Sequence, residues 1–157
     1  MKRIGGLLVI AVMAASLSGC GIPVDPAGTL DRVSGGELRV GVSHNPPWTD
    51  TSTSGNPTGL EVRLVEQFAD DLDAEIVWTE TSEARLMDGL ERGELDLAIA
   101  GLLDDTPWMD VAAVTRPFAE TRDADDRLER HVMATPMGEN AFLVRLERFL
   151  SDQEVTP

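Results

Sequence analysis

Three observations predict an α/β fold with a mainly parallel sheet flanked by helices. Short apolar runs recur at 38–42, 74–79 and 95–100, and the first and third alternate strictly, the period of a strand. Between them lie two stretches with helical periodicity, 60–72 and 83–92. The order β-α-β-α-β demands crossover connections, and such crossovers are right-handed and bring successive strands parallel.

Ahead of the first strand lies a segment with the layout of a leader. Lys2 and Arg3 form a basic start, and Ile4 to Leu17 is an apolar run too short to span a bilayer comfortably. It ends in Leu17-Ser18-Gly19-Cys20, which resembles the lipobox of bacterial lipoproteins. The resemblance implies thioether lipidation of Cys20, palmitate-type acylation and removal of residues 1–19 as a signal peptide. Cys20 is the only cysteine, so the chain forms no internal disulfide and no cysteine-based metal site. Residues 20–36, rich in Gly, Pro, Asp and Ser, read as a flexible tether.

Removing Lys2 and Arg3 with the leader leaves 11 basic against 28 acidic residues, a formal balance of −17. Such a surface repels nucleic acid and anionic lipid, so neither is expected as a partner, and its main effect is solubility. The 138 residues from Cys20 onward suit one domain with a real core.

Glu37 to Val42 is the first strand, and Asn45-Pro46-Pro47 ends it by fixing φ and removing donors. Trp48 then stands just past the carboxyl end of a strand, where ligands sit in α/β sheets. A polar loop, 49–59, leads to a helix with Leu60, Leu64, Phe68 and Leu72 on one stripe. Ser82 is placed to cap the helix over 83–92, and Gly93 to end it. A loop, 101–108, follows the third strand, and 111–115 reads as a short fourth strand. Residues 119–130 are highly charged and read as a surface connection. A last strand over 131–136 and a last helix over 140–153 complete a lobe expected to span 37–152, with 153–157 as a tail.

Four pieces of this chain are similar to family 3 of the bacterial extracellular solute-binding proteins, the polar-amino-acid receptors of ABC importers. They are Leu38-Arg39-Val40-Gly41-Val42 with Pro46-Pro47-Trp48; Gly59-Leu60-Glu61-Val62-Arg63-Leu64; Leu90 to Gly101; and Thr115-Arg116-Pro117-Phe118. The resemblance implies a periplasmic-binding-protein-like lobe. Family members build a second lobe where this chain has only 119–130, so a single lobe with the second absent is expected. The family also carries an arginine after the third strand that grips a carboxylate; here Trp108 or Met109 stands in its place, and Arg63 replaces the second acid of the helix signature.

The candidate ligand-binding residues are Trp48, Glu61, Asp104, Asp105, Thr106 and Trp108. Two tryptophans with two or three acids suit a cation through π contact and charge. The alternatives stay open: Trp48 and Trp108 pack on each other, and Asp104-Asp105 before Thr106-Pro107 form a capped turn. Neither His44 nor His131 has metal-ligand spacing with these acids, so no metal is expected. No nucleophile elbow or phosphate loop occurs, so no catalytic residue, cofactor or enzyme activity is expected. The expected function is a lipid-anchored, extracytoplasmic protein that captures a small polar solute, amino acid or amine-like, for a transporter permease. The alternative is an accessory lipoprotein that keeps the lobe and binds a protein.

Overall fold

The strand that the sequence marks first lies inside the sheet. In the computed structural model, which describes residues 23–155, Glu37–Val42 forms β1 with Leu38, Val40 and Val42 wholly buried. It pairs parallel with β2 (Glu75–Glu80) on one side and with β3 (Leu97–Leu103) on the other. Helices cover both faces. On one, α2 (Leu60–Asp71) and α4 (Asn140–Ser151) meet through Phe68, whose ring centroid lies 5.9 Å from that of Phe142 and 5.3 Å from that of Phe149. On the other, α3 (Glu83–Glu91) lays Leu86, Met87 and Leu90 against Ala98, Ala100 and Val132. Gly41 permits this close approach, since a Cβ there would come within 2.5 Å of a Leu86 methyl and 2.6 Å of a Leu95 methyl. Ser82 is the N-cap of α3 by position, but its side chain makes no cap bond.

The parallel half is as expected; the other half turns antiparallel. Sheet order is β2-β1-β3-β6-β4, where β4 is Ala113–Val114 and β6 is Leu128–Thr135, with β5 (Ala119–Arg122) also on β6. Strand β6 runs antiparallel to β3, pairing Ala98 with Ala134 and Leu103 with His131, with an irregularity between. Gly101 sits in that irregularity at φ 64, the left-handed region.

Two readings of the sequence are corrected here. The charged passage 119–130 is a β-hairpin, not a surface connection: β5 pairs with the first half of β6 from Ala119↔His131 to Arg122↔Leu128. Its turn is built by Asp123, whose Oδ1 accepts from the backbone N–H of Asp125 (2.8 Å) and Arg127 (2.9 Å). Most of its side chains face water, so no apolar period betrays the strands.

The second correction concerns the tether. Residues 29–33 (Thr29–Val33) form a short helix, α1, with Val33 and Thr29 buried. Two carboxylates fasten it. Asp25 accepts from the N–H of Ala141 (2.6 Å) and Phe142 (3.0 Å), capping α4 across the length of the chain. Glu139 returns the bond to the N–H of Ala27 (2.9 Å) and Thr29 (3.0 Å). Arg32 also pairs with Asp96. The folded body therefore starts near Val24, and at the far end Val155 packs on the core. Cys20 and the leader lie outside the described residues.

Candidate functional site

The carboxyl ends of β1, β2 and β3 come together as expected, but their loops are locked rather than open. After β1 the chain folds on itself: Asn45 N–H donates to Thr49 O (2.8 Å), and Thr49 N–H returns to Asn45 O (3.0 Å). The Asn45 side-chain amide donates to Ala100 O on β3 (2.7 Å), and Thr49 Oγ1 donates to Ser43 O (2.5 Å). Glu61 N–H donates to Trp48 O (3.0 Å), tying the loop to the start of α2.

Each predicted residue has a definite place. Trp48 is only 7% exposed. Its ring stacks on His131 at 3.7 Å between centroids and meets Phe118 edge-on at 6.1 Å. It plugs the sheet end instead of standing on a stalk, and its partner is His131 rather than Trp108. Trp108 lies in a 3-10 turn, Pro107–Asp110, half-buried, and its indole N–H donates to Glu83 at the first turn of α3. Glu61 is wholly buried beneath the site, not at its mouth. Its Oε2 accepts from Gly101 N–H (2.9 Å), while Oε1 has no partner. Burial pushes its carboxyl from near 4.5 up to about 8, against the pull of the Gly101 and Ala100 backbone, so it is neutral at pH 7 and offers no charge to a ligand.

Asp104 is half-exposed and engages Arg130 at 3.5 Å; Asp105 is exposed. Thr106 is buried before the 3-10 turn, making no side-chain cap bond. Of the six predicted residues, then, Asp104, Asp105 and Trp108 reach the surface of this end, and Trp48, Glu61 and Thr106 form its floor. Arg63 is exposed and turned back to Gly59 O (3.2 Å), away from buried Glu61.

Sequence reasoning missed a second acidic group at the same end. Glu80, last in β2, accepts from Thr51 Oγ1 (2.6 Å), Thr51 N–H donates to His44 Nδ1 (3.2 Å), and Asp50 lies 3.6 Å from that nitrogen. A hydrogen bond to Ser52 holds the Asp50 carboxyl below its ordinary range. The signal available was a carboxylate closing a strand whose carboxyl end faces the site. His131, not among the candidate site residues, belongs to this end as well. It lies within β6, buried, with Nε2 2.8 Å from Thr121 Oγ1 and Nδ1 unpaired, and burial pushes its pKa down. Two guanidinium groups near this rim are engaged, Arg130 by Asp104 and Glu120 and Arg127 by Asp123 and Asp125, whereas Arg85, exposed in the first turn of α3, makes no side-chain bond among the described residues. The rim thus carries more acids than bases, with Arg85 as its one unpaired cationic fork among the described residues. Among the described residues, no group of three His, Cys, Asp or Glu is arranged to hold a metal ion.

Comparison with known proteins agrees with this architecture. The arginine-bound form of domain 1 from TmArgBP superposes with a TM-score of 0.69 at 22% identity, covering 78% of this chain and 98% of that one. An ancestral cationic amino acid solute binding protein superposes at 0.68 and 15% identity, covering 78% and 92%. These likenesses establish the fold, a mixed α/β lobe flanked by helices. Over 109 residues, 68% of this chain, the sequence is 34% identical to a membrane-bound lytic murein transglycosylase F of Vibrio vulnificus. The chain spans about a fifth of the length of the curated relatives it matches, 20%. Residues 38–124, more than half of the chain, match the model of one family, and with its single lobe the protein belongs to the bacterial extracellular solute-binding proteins, family 3.

Proposed function

We propose that this protein captures a small polar solute, neutral or cationic, at the carboxyl ends of β1–β3, and that it does so at the outer face of the cell membrane, anchored by lipid on Cys20. The observation that carries the reading is the charge of the rim. Glu80, Asp50, Asp104 and Asp105 are presented there, while Arg127 and Arg130 are paired within the chain and Arg85 alone stands free among the described residues. An α-carboxylate would meet Arg85 as its one unpaired guanidinium; an ammonium or guanidinium would meet several acceptors and the half-buried indole of Trp108. The protein's structural neighbours include an arginine-bound domain and a cationic amino acid solute binding protein, in keeping with this charge preference. Delivery to an ABC-transporter permease is the natural use of such a lobe and is part of the proposal.

Calorimetry on the chain from Cys20 onward, with arginine, a polyamine and glutamate, tests it. The cationic solutes are expected to bind and glutamate to fail. Trp108→Ala is expected to weaken binding by about 1 kcal/mol while the melting temperature holds within a few degrees. Tight glutamate binding, indifferent to Trp108, would falsify the assignment.

One observation favours a second reading. With Trp48 and Glu61 sealed in the floor, the site is shallow, and one lobe covers a solute on one side only, whereas small-molecule sites bury most of their ligand. An accessory lipoprotein whose sheet end docks on another protein fits that surface. Absence of binding across all solute classes, with cross-linking from position 105 to a membrane protein, would favour this second reading.

For the anchor, Cys20→Ser is expected to release the protein from membranes or leave the precursor uncut. A processed Ser variant still found with membranes would refute lipidation.

A further inference from the structure

The docked N-terminal segment sets the reach of the anchor. Val24 O accepts from Asn140 N–H (3.2 Å), Asp25 caps α4, and Glu139 holds Ala27 and Thr29, so the folded body begins at residue 24. Cys20 is four residues before that point, and four residues span at most about 14 Å in any conformation. The attachment point is at one end of the lobe. Strand β6 descends antiparallel to β3, so α4, which follows it, starts at the amino ends of β1 and β3. The proposed solute site lies at their carboxyl ends, a strand length of about 20 Å away. At the amino end two large apolar side chains stand in the open, Val24 at 63% and Met137 at 55% exposure.

We propose that the lobe stands directly on the phospholipid surface with its amino-end face, around Val24 and Met137, against the headgroups and its solute site facing away from the bilayer. This rests on the reading of Cys20 as the lipid anchor. A leash shorter than the lobe itself cannot let the body turn over, so the bilayer covers one end and the other takes solute from outside. A permease would then take solute through an extracytoplasmic segment long enough to reach the outward-facing end of the lobe.

The test supplies the lipid chemically. The chain from Cys20 onward contains every residue of the described fold, and its single thiol is coupled to a maleimide phospholipid in phosphatidylcholine nanodiscs doped with nitroxide headgroups. NMR line broadening is then read on the protein's own signals. Resonances of Val24 and Met137 are expected to broaden several-fold more than those of Asp105 and the Trp108 indole. Equal broadening at the two ends, or the reverse order, overturns the proposal. Inserting about fifteen Gly and Ser residues between Ile22 and Pro23 adds roughly 20 Å of reach, and the contrast is then expected to disappear. Its survival overturns the leash as the cause. Because this lipid is not placed by the cell, failure here is distinct from failure of lipidation, which the Cys20→Ser variant reads.

Discussion

Glu61 is the residue at which charge and burial conflict most. Its carboxyl is raised to about 8 in the folded protein and sits near 4.5 when unfolded. Between those values the folded state holds a proton that the unfolded chain has lost, so its contribution to stability falls as pH rises, by up to about 1.4 kcal/mol per pH unit. His131 acts oppositely, because its lowered pKa costs stability as pH falls below its ordinary 6.5. The difference in unfolding free energy between wild type and Glu61→Gln isolates the first effect. It is expected to shift against wild type from pH 4.5 to 8 and then level off, as measured by urea titration across pH. A difference flat over that window would show that Glu61 ionises normally. Trp48→Ala is the second prediction at this scale. The sequence alone suggests a ligand platform whose loss spares the fold, but a 7% exposed ring stacked on His131 is a core group. Its removal is expected to cost about 3–5 kcal/mol, read as a lowered urea midpoint. The identity of these residues was legible in the sequence, and so was the sheet end to which they belong. Their depth was not, because it depends on β6, whose pairing with β3 places His131 over Trp48 and has no local signature.

At the scale of elements, the legible ones carry their own periodicity. Helices α2, α3 and α4 each bury one apolar stripe, and their bounds fall within a residue or two of the pattern. The elements that escaped are held by polar groups rather than by an apolar stripe. Helix α1 is five residues long and is kept in place by Glu139, Asp25 and Asp96, none of which forms a periodic pattern with it. Such a helix would be marginal alone. Asp25→Ala leaves two backbone donors of α4 unpaired and is expected to cost about 1–2 kcal/mol. Heteronuclear NOE values for residues 25–33 would fall with it; unchanged values would mean that Asp25 is dispensable for docking. Helix α4 contributes more. Phe142, Leu146 and Leu150 are buried, worth about 5–9 kcal/mol together on transfer scales. Deleting 140–157 is therefore expected to abolish cooperative unfolding.

For the whole molecule, the β5–β6 hairpin has a consequence for how occupancy is communicated. A receptor of two lobes closes like a jaw, and the closed shape is itself the message that a partner reads. Here the chain goes out and back through a tight Asp123 turn, with four paired positions from Ala119 to Arg122, so that among the described residues no hinge joins two bodies. Within this one lobe, occupancy cannot be encoded as the closing of a jaw. X-ray scattering is expected to give a radius of gyration of about 14 Å for the lobe, the same with and without a saturating solute. Whatever a partner senses must be written in the solute's own exposed face and in the side chains of the rim, so recognition of the loaded state becomes recognition of a composite surface, half protein and half ligand.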